Sequence, residues 1–111
     1  MSLTLYGLKN CDTCKKALKA LEAANVAVQF VDIRAEADLE ACVPAWLAAA
    51  GADVLVNRRS TTWRNLSEVE RAGDPQALLI AHPTLVKRPV IDAGDQVHVG
   101  WSKPVQAALL G

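Results

Sequence analysis

Leu3-Thr4-Leu5-Tyr6-Gly7-Leu8-Lys9-Asn10-Cys11-Asp12-Thr13-Cys14-Lys15-Lys16-Ala17-Leu18 decides how the rest of the chain is read. Its opening residues, Leu3 to Tyr6, form a short strand ended by Gly7, and from Cys11 the hydrophobic period changes. Ala17, Leu18, Leu21 and Ala24 recur at helical spacing, with Lys15, Lys16, Lys19 and Glu22 on the opposite face. Residues 26–31 are few and largely β-branched, which predicts a second strand after the helix. The three elements make a βαβ unit, whose strands run parallel across a right-handed connection.

Working outward, residues 38–50 are rich in Ala and Leu and stop at Gly51, the pattern of a second helix. Pro44 lies inside it and predicts either a kink or a helix that begins near Val43. Residues 57–64 are polar, basic and expected to be irregular. Asp74-Pro75 supplies an N-cap and a first-turn residue for a helix over 76–81. These pieces form a helical insert over about residues 37–82. Pro89-Val90-Ile91 then reads as a strand, Asp92 to Asp95 as a turn, and residues 96–100 as the returning strand. Ser102 is expected to cap a last helix, with Pro104 in its first turn and Leu109 and Leu110 on its buried side. The order βαβ, helical insert, ββα describes one α/β domain over residues 1–111, with a mixed four-stranded sheet.

A chain of 111 residues holds one hydrophobic core. Twelve basic and twelve acidic side chains cancel, so no global field draws it to nucleic acid or to an anionic membrane. The start of the chain lacks the basic-then-apolar pattern of a secretory leader, and no run reaches the ~18 apolar residues of a membrane span. The expected location is the cytoplasm, a reducing compartment where structural disulfides are rare. Three cysteines, two of them in a Cys-x-x-Cys spacing, then point to reactive chemistry or to metal. Zinc wants about four ligands, and Cys42, His82 and His98 are the remaining nitrogen or sulfur donors, none at ligand spacing. Cys42 has Leu39, Trp46 and Leu47 as helical neighbours and reads as a buried packing residue; Trp63, Trp101 and the two histidines read as structural too.

Cys11-Asp12-Thr13-Cys14 beside a βαβ unit is the spacing of a thioredoxin-like redox motif. The nucleophile in such chemistry is the thiolate. Cys11 falls where a loop turns into a helix, and there unpaired N–H groups and the positive end of the dipole favour an anion. Lys9, Lys15 and Lys16 add positive charge and Asp12 opposes it. Cys11 is therefore the exposed attacker, and Cys14, one turn on and more enclosed, is placed to resolve a mixed disulfide.

Tyr6 to Ala17, Asn57-Arg58-Arg59-Ser60-Thr61-Thr62-Trp63-Arg64, His82-Pro83-Thr84-Leu85-Val86-Lys87-Arg88-Pro89-Val90 and Val99-Gly100-Trp101-Ser102 together resemble the arsenate reductase (ArsC) family in its broad sense. That family takes in glutaredoxin-linked arsenate reductases, the Spx redox regulators and the YffB-type proteins. The likeness is nearest to the YffB-type branch, through the Tyr-Gly-x-Lys-x-Cys-Asp-Thr start and the Thr-Thr-Trp-Arg segment. It implies a thioredoxin-like sheet, a nucleophile at Cys11, and an anion or glutathione site made by Lys9, Asn10, Arg59, Arg88 and Pro89. Arg59 is preferred over Arg58 and Arg64 because it lines up with the arginine of the YffB-type loop. The bond before Pro89 is expected to be cis, aiming the backbone and Arg88 toward the thiolate. Guanidinium suits this role because its planar fork of donors matches an oxyanion or a carboxylate.

Two departures shape the functional expectation. YffB-type sequences often carry an apolar residue where this chain has Cys14, so an internal disulfide becomes possible here as in Spx. The arsenate reductase motif runs Cys-Gly-Thr-Ser-Arg-Asn, where this chain has Cys11-Asp12-Thr13-Cys14-Lys15-Lys16. The resemblance thus implies first a glutathione-dependent thiol reductase with Cys11, Cys14 and Arg88 as catalytic residues. No bound cofactor or metal is required; glutathione is the co-substrate, or a glutaredoxin- or thioredoxin-type protein the reductant. The alternatives are a glutaredoxin-coupled arsenate reductase and a Spx-like regulator that binds RNA polymerase.

Overall fold

The computed structural model describes residues 2–110; Met1 and Gly111, the ends of the expected 1–111 domain, lie outside the described residues. Strand β1 (Ser2–Gly7) is followed by helix α1 (Asp12–Ala23) and strand β2 (Ala27–Asp32). The insert consists of α2 (Leu39–Ala50), α3 (Ala52–Leu55), α4 (Thr61–Asn65), α5 (Glu68–Arg71), α6 (Pro75–Ala81) and a 3-10 turn over Pro83–Leu85. Strands β3 (Val90–Asp92) and β4 (Val97–Val99) and helix α7 (Lys103–Leu110) complete the chain. The sheet order is β2-β1-β3-β4, with β1 parallel to β2 and antiparallel to β3, and β3 antiparallel to β4. That mixed four-stranded sheet is the thioredoxin-like arrangement expected from the sequence.

Strand alternation divides the core into two clusters. Leu3 and Leu5 of β1 and Ile91 of β3 turn to one face, where Cys14, Ala17 and Leu21 of α1 bury against them and Trp101 and Leu109 close the edge. Val90 turns to the other face, among Val43 and Trp46 of α2, Leu55, Leu66, Leu79 and Leu85 of the insert, with Tyr6 packed alongside. The ring of Tyr6 meets that of Trp46 edge-on, centroids 4.9 Å apart. The helical insert is thus the second layer of the core as well as a wall for the site.

Several local expectations are corrected. The second strand runs one residue later than 26–31, because the Val26 N–H is spent on the Leu21 carbonyl (3.0 Å) in the turn that leaves α1. Helix α2 passes through Pro44 without a restart at Val43; Asp38 caps it by accepting from the Ala41 N–H (3.3 Å), and the first backbone bond runs from Cys42 to Asp38. Glu40, whose carbonyl loses a donor to Pro44, is exposed, where water serves as the partner. Residues 57–64 are not wholly irregular, since Ser60 accepts from the Trp63 N–H (3.1 Å) and caps α4. Leu109 packs on the core as expected, but Leu110 is exposed (38%), because it lies off the α1-facing side of α7. The Arg88–Pro89 peptide bond is cis, as the resemblance implied.

Candidate active site around Cys11

Cys11 is the N-cap residue of α1, with extended backbone (φ −93°, ψ 118°), and its own carbonyl receives the first helical bond from the Lys15 N–H (3.0 Å). A turn in which the Cys11 N–H donates to the Leu8 carbonyl (3.2 Å) brings the chain from the end of β1 to this position. The thiol makes no capping bond, so the first-turn N–H groups of α1 face the space around it. Cys11 is half-buried, whereas Cys14, one turn later on the inner side of α1, has no exposed surface at all.

The two thiols accordingly differ in chemistry. Burial pushes the Cys14 thiol up to about 12; the hydrogen bond and charge of Cys11 add to this, while a Leu8 backbone hydrogen bond and the Arg88 charge pull the other way. At neutral pH Cys14 is a protonated, enclosed thiol. Gly7 makes this burial possible, for a Cβ there would stand 2.5 Å from the Cys14 sulfur.

Cys11 opens into a cleft of about 460 Å³ whose walls include Asn10, Arg59 and Arg88. The residues that the sequence marked as a site are therefore partly brought together: Asn10, Cys11, Arg59 and Arg88 share one cleft. Lys9 is exposed and does not line it; its charge acts instead on Asp32, whose carboxyl is held low mainly by the Ala35 and Arg34 backbone N–H groups. Pro89 is buried and does not line it either. Among Arg58, Arg59 and Arg64, Arg59 is the one on the cleft. Arg58 reaches Asp53 (3.3 Å) and lies over the Trp63 ring (5.6 Å), and Arg64 donates to the Arg59 carbonyl (3.4 Å).

Arg88 carries the most informative atom of the site. Its Nη1 is buried and has no hydrogen-bond partner among the described residues. A buried guanidinium nitrogen without an acceptor is costly, and the side chain that carries it also lines the cleft. The structure also adds cleft residues that sequence reasoning left without a role. Thr62 of α4 and Thr84 of the 3-10 turn share a hydroxyl hydrogen bond (2.7 Å) and stand on the wall together, tying the Arg59 loop to the segment that carries Arg88. Their signal was the Thr61-Thr62-Trp63 and Pro83-Thr84 stretches, polar residues at the edges of apolar segments, but nothing local indicated that the two would meet. No group of three or more His, Cys, Asp or Glu side chains poised for a metal occurs among the described residues.

Fold and site together define a thioredoxin-like domain in which one cysteine, at the head of the first helix, faces a guanidinium-lined cleft. Comparison with known proteins takes this further. The chain belongs to the ArsC family, whose model matches residues 6–108. A Haemophilus influenzae protein described only as uncharacterized is 45% identical over 112 residues, covering 96% of this chain and 97% of its own. The solved structure of a YffB protein superposes with a TM-score of 0.88 at 36% identity, covering 98% of this chain and 99% of that one. An arsenate reductase (ArsC) related protein from Brucella melitensis gives a TM-score of 0.77 at 38% identity, over 96% and 92% of the two chains.

Proposed function

We propose that the protein is a cytoplasmic, glutathione-dependent thiol reductase. The observation that carries this reading is that Arg59 and Arg88 share one cleft with Cys11. An acidic group of a thiol substrate pairs with the Arg88 guanidinium and, by the same contact, orients the sulfur toward Cys11. The Cys11 thiolate attacks a mixed disulfide R–S–S–G at the glutathione sulfur. A Cys11–S–S–G bond forms, the R–S bond breaks, and RS⁻ leaves and takes a proton from water. A second glutathione thiolate then attacks the adduct, releasing Cys11 thiolate and oxidised glutathione; the net change is RSSG + GSH → RSH + GSSG. Glutathione is preferred to Cys14 as the resolving thiol because Cys14 is protonated and fully enclosed.

A cleft of about 460 Å³ is in the ~300–1,000 Å³ range of small-molecule sites and far roomier than a lone oxyanion needs. The same guanidinium groups also suit a tetrahedral oxyanion, so reduction of arsenate is the competing outcome of the test. The test follows disappearance of a glutathionylated substrate, coupled to glutathione recycling, and in parallel measures arsenite production. Expected are turnover by wild type and by Cys14→Ser, none by Cys11→Ser, and a ten- to hundredfold lower kcat/KM in Arg88→Ala, since a charge-assisted hydrogen bond contributes ~1.5–3 kcal/mol. Wild-type turnover no faster than Cys11→Ser, or arsenite formed while the disulfide is left intact, sinks the proposal.

A further inference from the structure

The basic side chains near Cys11 are shared between two adjoining clefts. Val56 and Val86 form an isolated antiparallel bridge, bracketed by bonds from the Asn57 N–H to the Leu85 carbonyl and from the Lys87 N–H to the Leu55 carbonyl, 2.8 Å each. This fixes the start of the arginine loop against the segment that leads into Pro89. Successive side chains of an extended segment point to opposite sides, and here the result is a division of labour. Arg88 faces the Cys11 cleft, while its neighbour Lys87 lines a second cleft of about 500 Å³ with Asp53, Arg58 and Arg59. Asn57 and Arg59 belong to the walls of both. The partition is thus made of two side chains.

The second cleft has a clear electrostatic sign. Arg58, Arg59 and Lys87 stand against the single carboxylate of Asp53. The Arg58–Asp53 pair is the only salt bridge among the described residues; it is long (3.3 Å) and well exposed at both ends, so it neutralises Arg58 poorly. Arg58 is nevertheless held in place, lying over the Trp63 ring, which Arg71 covers at 5.5 Å. Lys87 has no ion-pair partner among the described residues. In a chain whose charges sum to zero, this excess of positive charge is local and calls for an anion.

We infer that the cleft of Arg58 and Lys87 is a second anion subsite, and that the ligand of Cys11 is a thiol compound of tripeptide size with two separated carboxylates. One carboxylate meets Arg88 beside Cys11; the other crosses Arg59 and is held by Arg58 and Lys87. This rests on the glutathione reading and adds to it: Arg58 and Lys87, outside the Cys11 cleft, become determinants of which thiol is accepted. A thiol lacking the second carboxylate meets the same Cys11 but forfeits this contact.

The test is an NMR titration of the intact protein with S-methylglutathione, which cannot react, and with its two monoethyl esters, one on each carboxylate. Lys87→Gln and Arg58→Gln are each expected to weaken S-methylglutathione roughly fivefold, as for an exposed charge pair. One monoester is expected to bind wild type roughly fivefold more weakly than the parent, and to be indifferent to Lys87→Gln. Both replaced side chains are exposed, so the variants retain the fold, which their thermal transitions check. If wild type binds and Arg88→Ala does not, while Lys87→Gln and Arg58→Gln bind like wild type, the second subsite is refuted and the glutathione reading stands. If both monoesters remain as sensitive to Lys87→Gln as the parent, the subsite is likewise refuted. If wild type shows no binding at all, the glutathione reading falls and this inference with it.

Discussion

Replacing Gly7 by alanine tests how the two cysteines are set at different depths. The φ of Gly7 is outside the left-handed region, so the backbone itself accepts an alanine, which by restricting the unfolded chain would add about 0.4–1 kcal/mol of stability at an open site. The site is not open. The new methyl carbon would lie 2.5 Å from the Cys14 sulfur, 3.3 Å from its Cβ and 3.4 Å from Cδ2 of Leu5, against an ordinary contact of roughly 3.5–4.0 Å. The sulfur overlap is about an ångström, and Cys14 has no exposed side toward which to retreat. Forcing a methyl into a filled core costs about 1–3 kcal/mol, so the clash outweighs the entropy gain and leaves a net loss of about 1–2 kcal/mol.

Urea unfolding measures this directly. With a slope of ~1–3 kcal/mol/M for a small domain, the midpoint falls by the order of 1 M while the slope is unchanged. The decisive comparison uses Cys14→Ala as the background, since the sulfur is gone and the Gly7→Ala methyl takes its space. There the second substitution is expected to cost less than ~0.5 kcal/mol, a coupling that independent sites do not show. An equal loss in both backgrounds would refute the claim that Gly7 exists to seat Cys14.

Two further predictions follow from the raised thiol and phenol. In the native protein at pH 8, iodoacetamide is expected to modify Cys11 and spare Cys14, whose reactivity climbs only as pH approaches about 12, whereas both react alike in denaturant; rapid modification of Cys14 in the folded state at pH 8 contradicts its enclosure. Tyr6, the only tyrosine, is raised to about 12 by burial first and then by the charge and hydrogen bond of Cys42 and the charge of Asp92. Since its folded value is above the unfolded one of ~10, its contribution to stability is complete below pH ~10 and is lost as pH rises through about 12. The tyrosinate absorption band tracks this one residue, and half-titration of the folded protein near pH 10 would show the assignment to be wrong.

The legible parts of the sequence were those with a period. Leu3 to Tyr6 announced a strand and Ala17, Leu18, Leu21 and Ala24 a helix face. Leu3, Leu5, Ala17 and Leu21 do bury together, with Leu18 packed partly against them, whereas Ala24 is the exposed C-cap. Residues with no period were read poorly. Helix α4 is five residues long, too short to display a repeat, and its one signal was the cap at Ser60. Ser67 and Glu70 form a complete capping box for the four-residue α5, again with no amphipathic stretch to draw attention to it. The placing of Arg59 and Arg88 on one cleft depends on a contact between distant segments, the Val56–Val86 bridge thirty positions apart in the chain, which the Thr62–Thr84 hydrogen bond reinforces. No local pattern contains that contact, which is why the arginines could be placed beside Cys11 only through a family likeness.

What the structure adds is a common device: neighbours of similar chemistry are given different environments by the geometry of the element that holds them. Cys11 and Cys14 are separated by one helical turn, which leaves the first at the mouth of a cleft and puts the second in the core against Gly7. Lys87 and Arg88 are separated by one step of extended chain, which sends their charges into two clefts. Chemical similarity in the sequence, two thiols and two cations, is thereby converted into distinct roles. Among the described residues, the one buried side-chain nitrogen without an acceptor, Arg88 Nη1, belongs to the cation that shares a cleft with the thiol. A Cys11→Ser/Cys14 chain keeps a thiol in the motif yet none in that cleft, which is why its inactivity discriminates placement from mere thiol content.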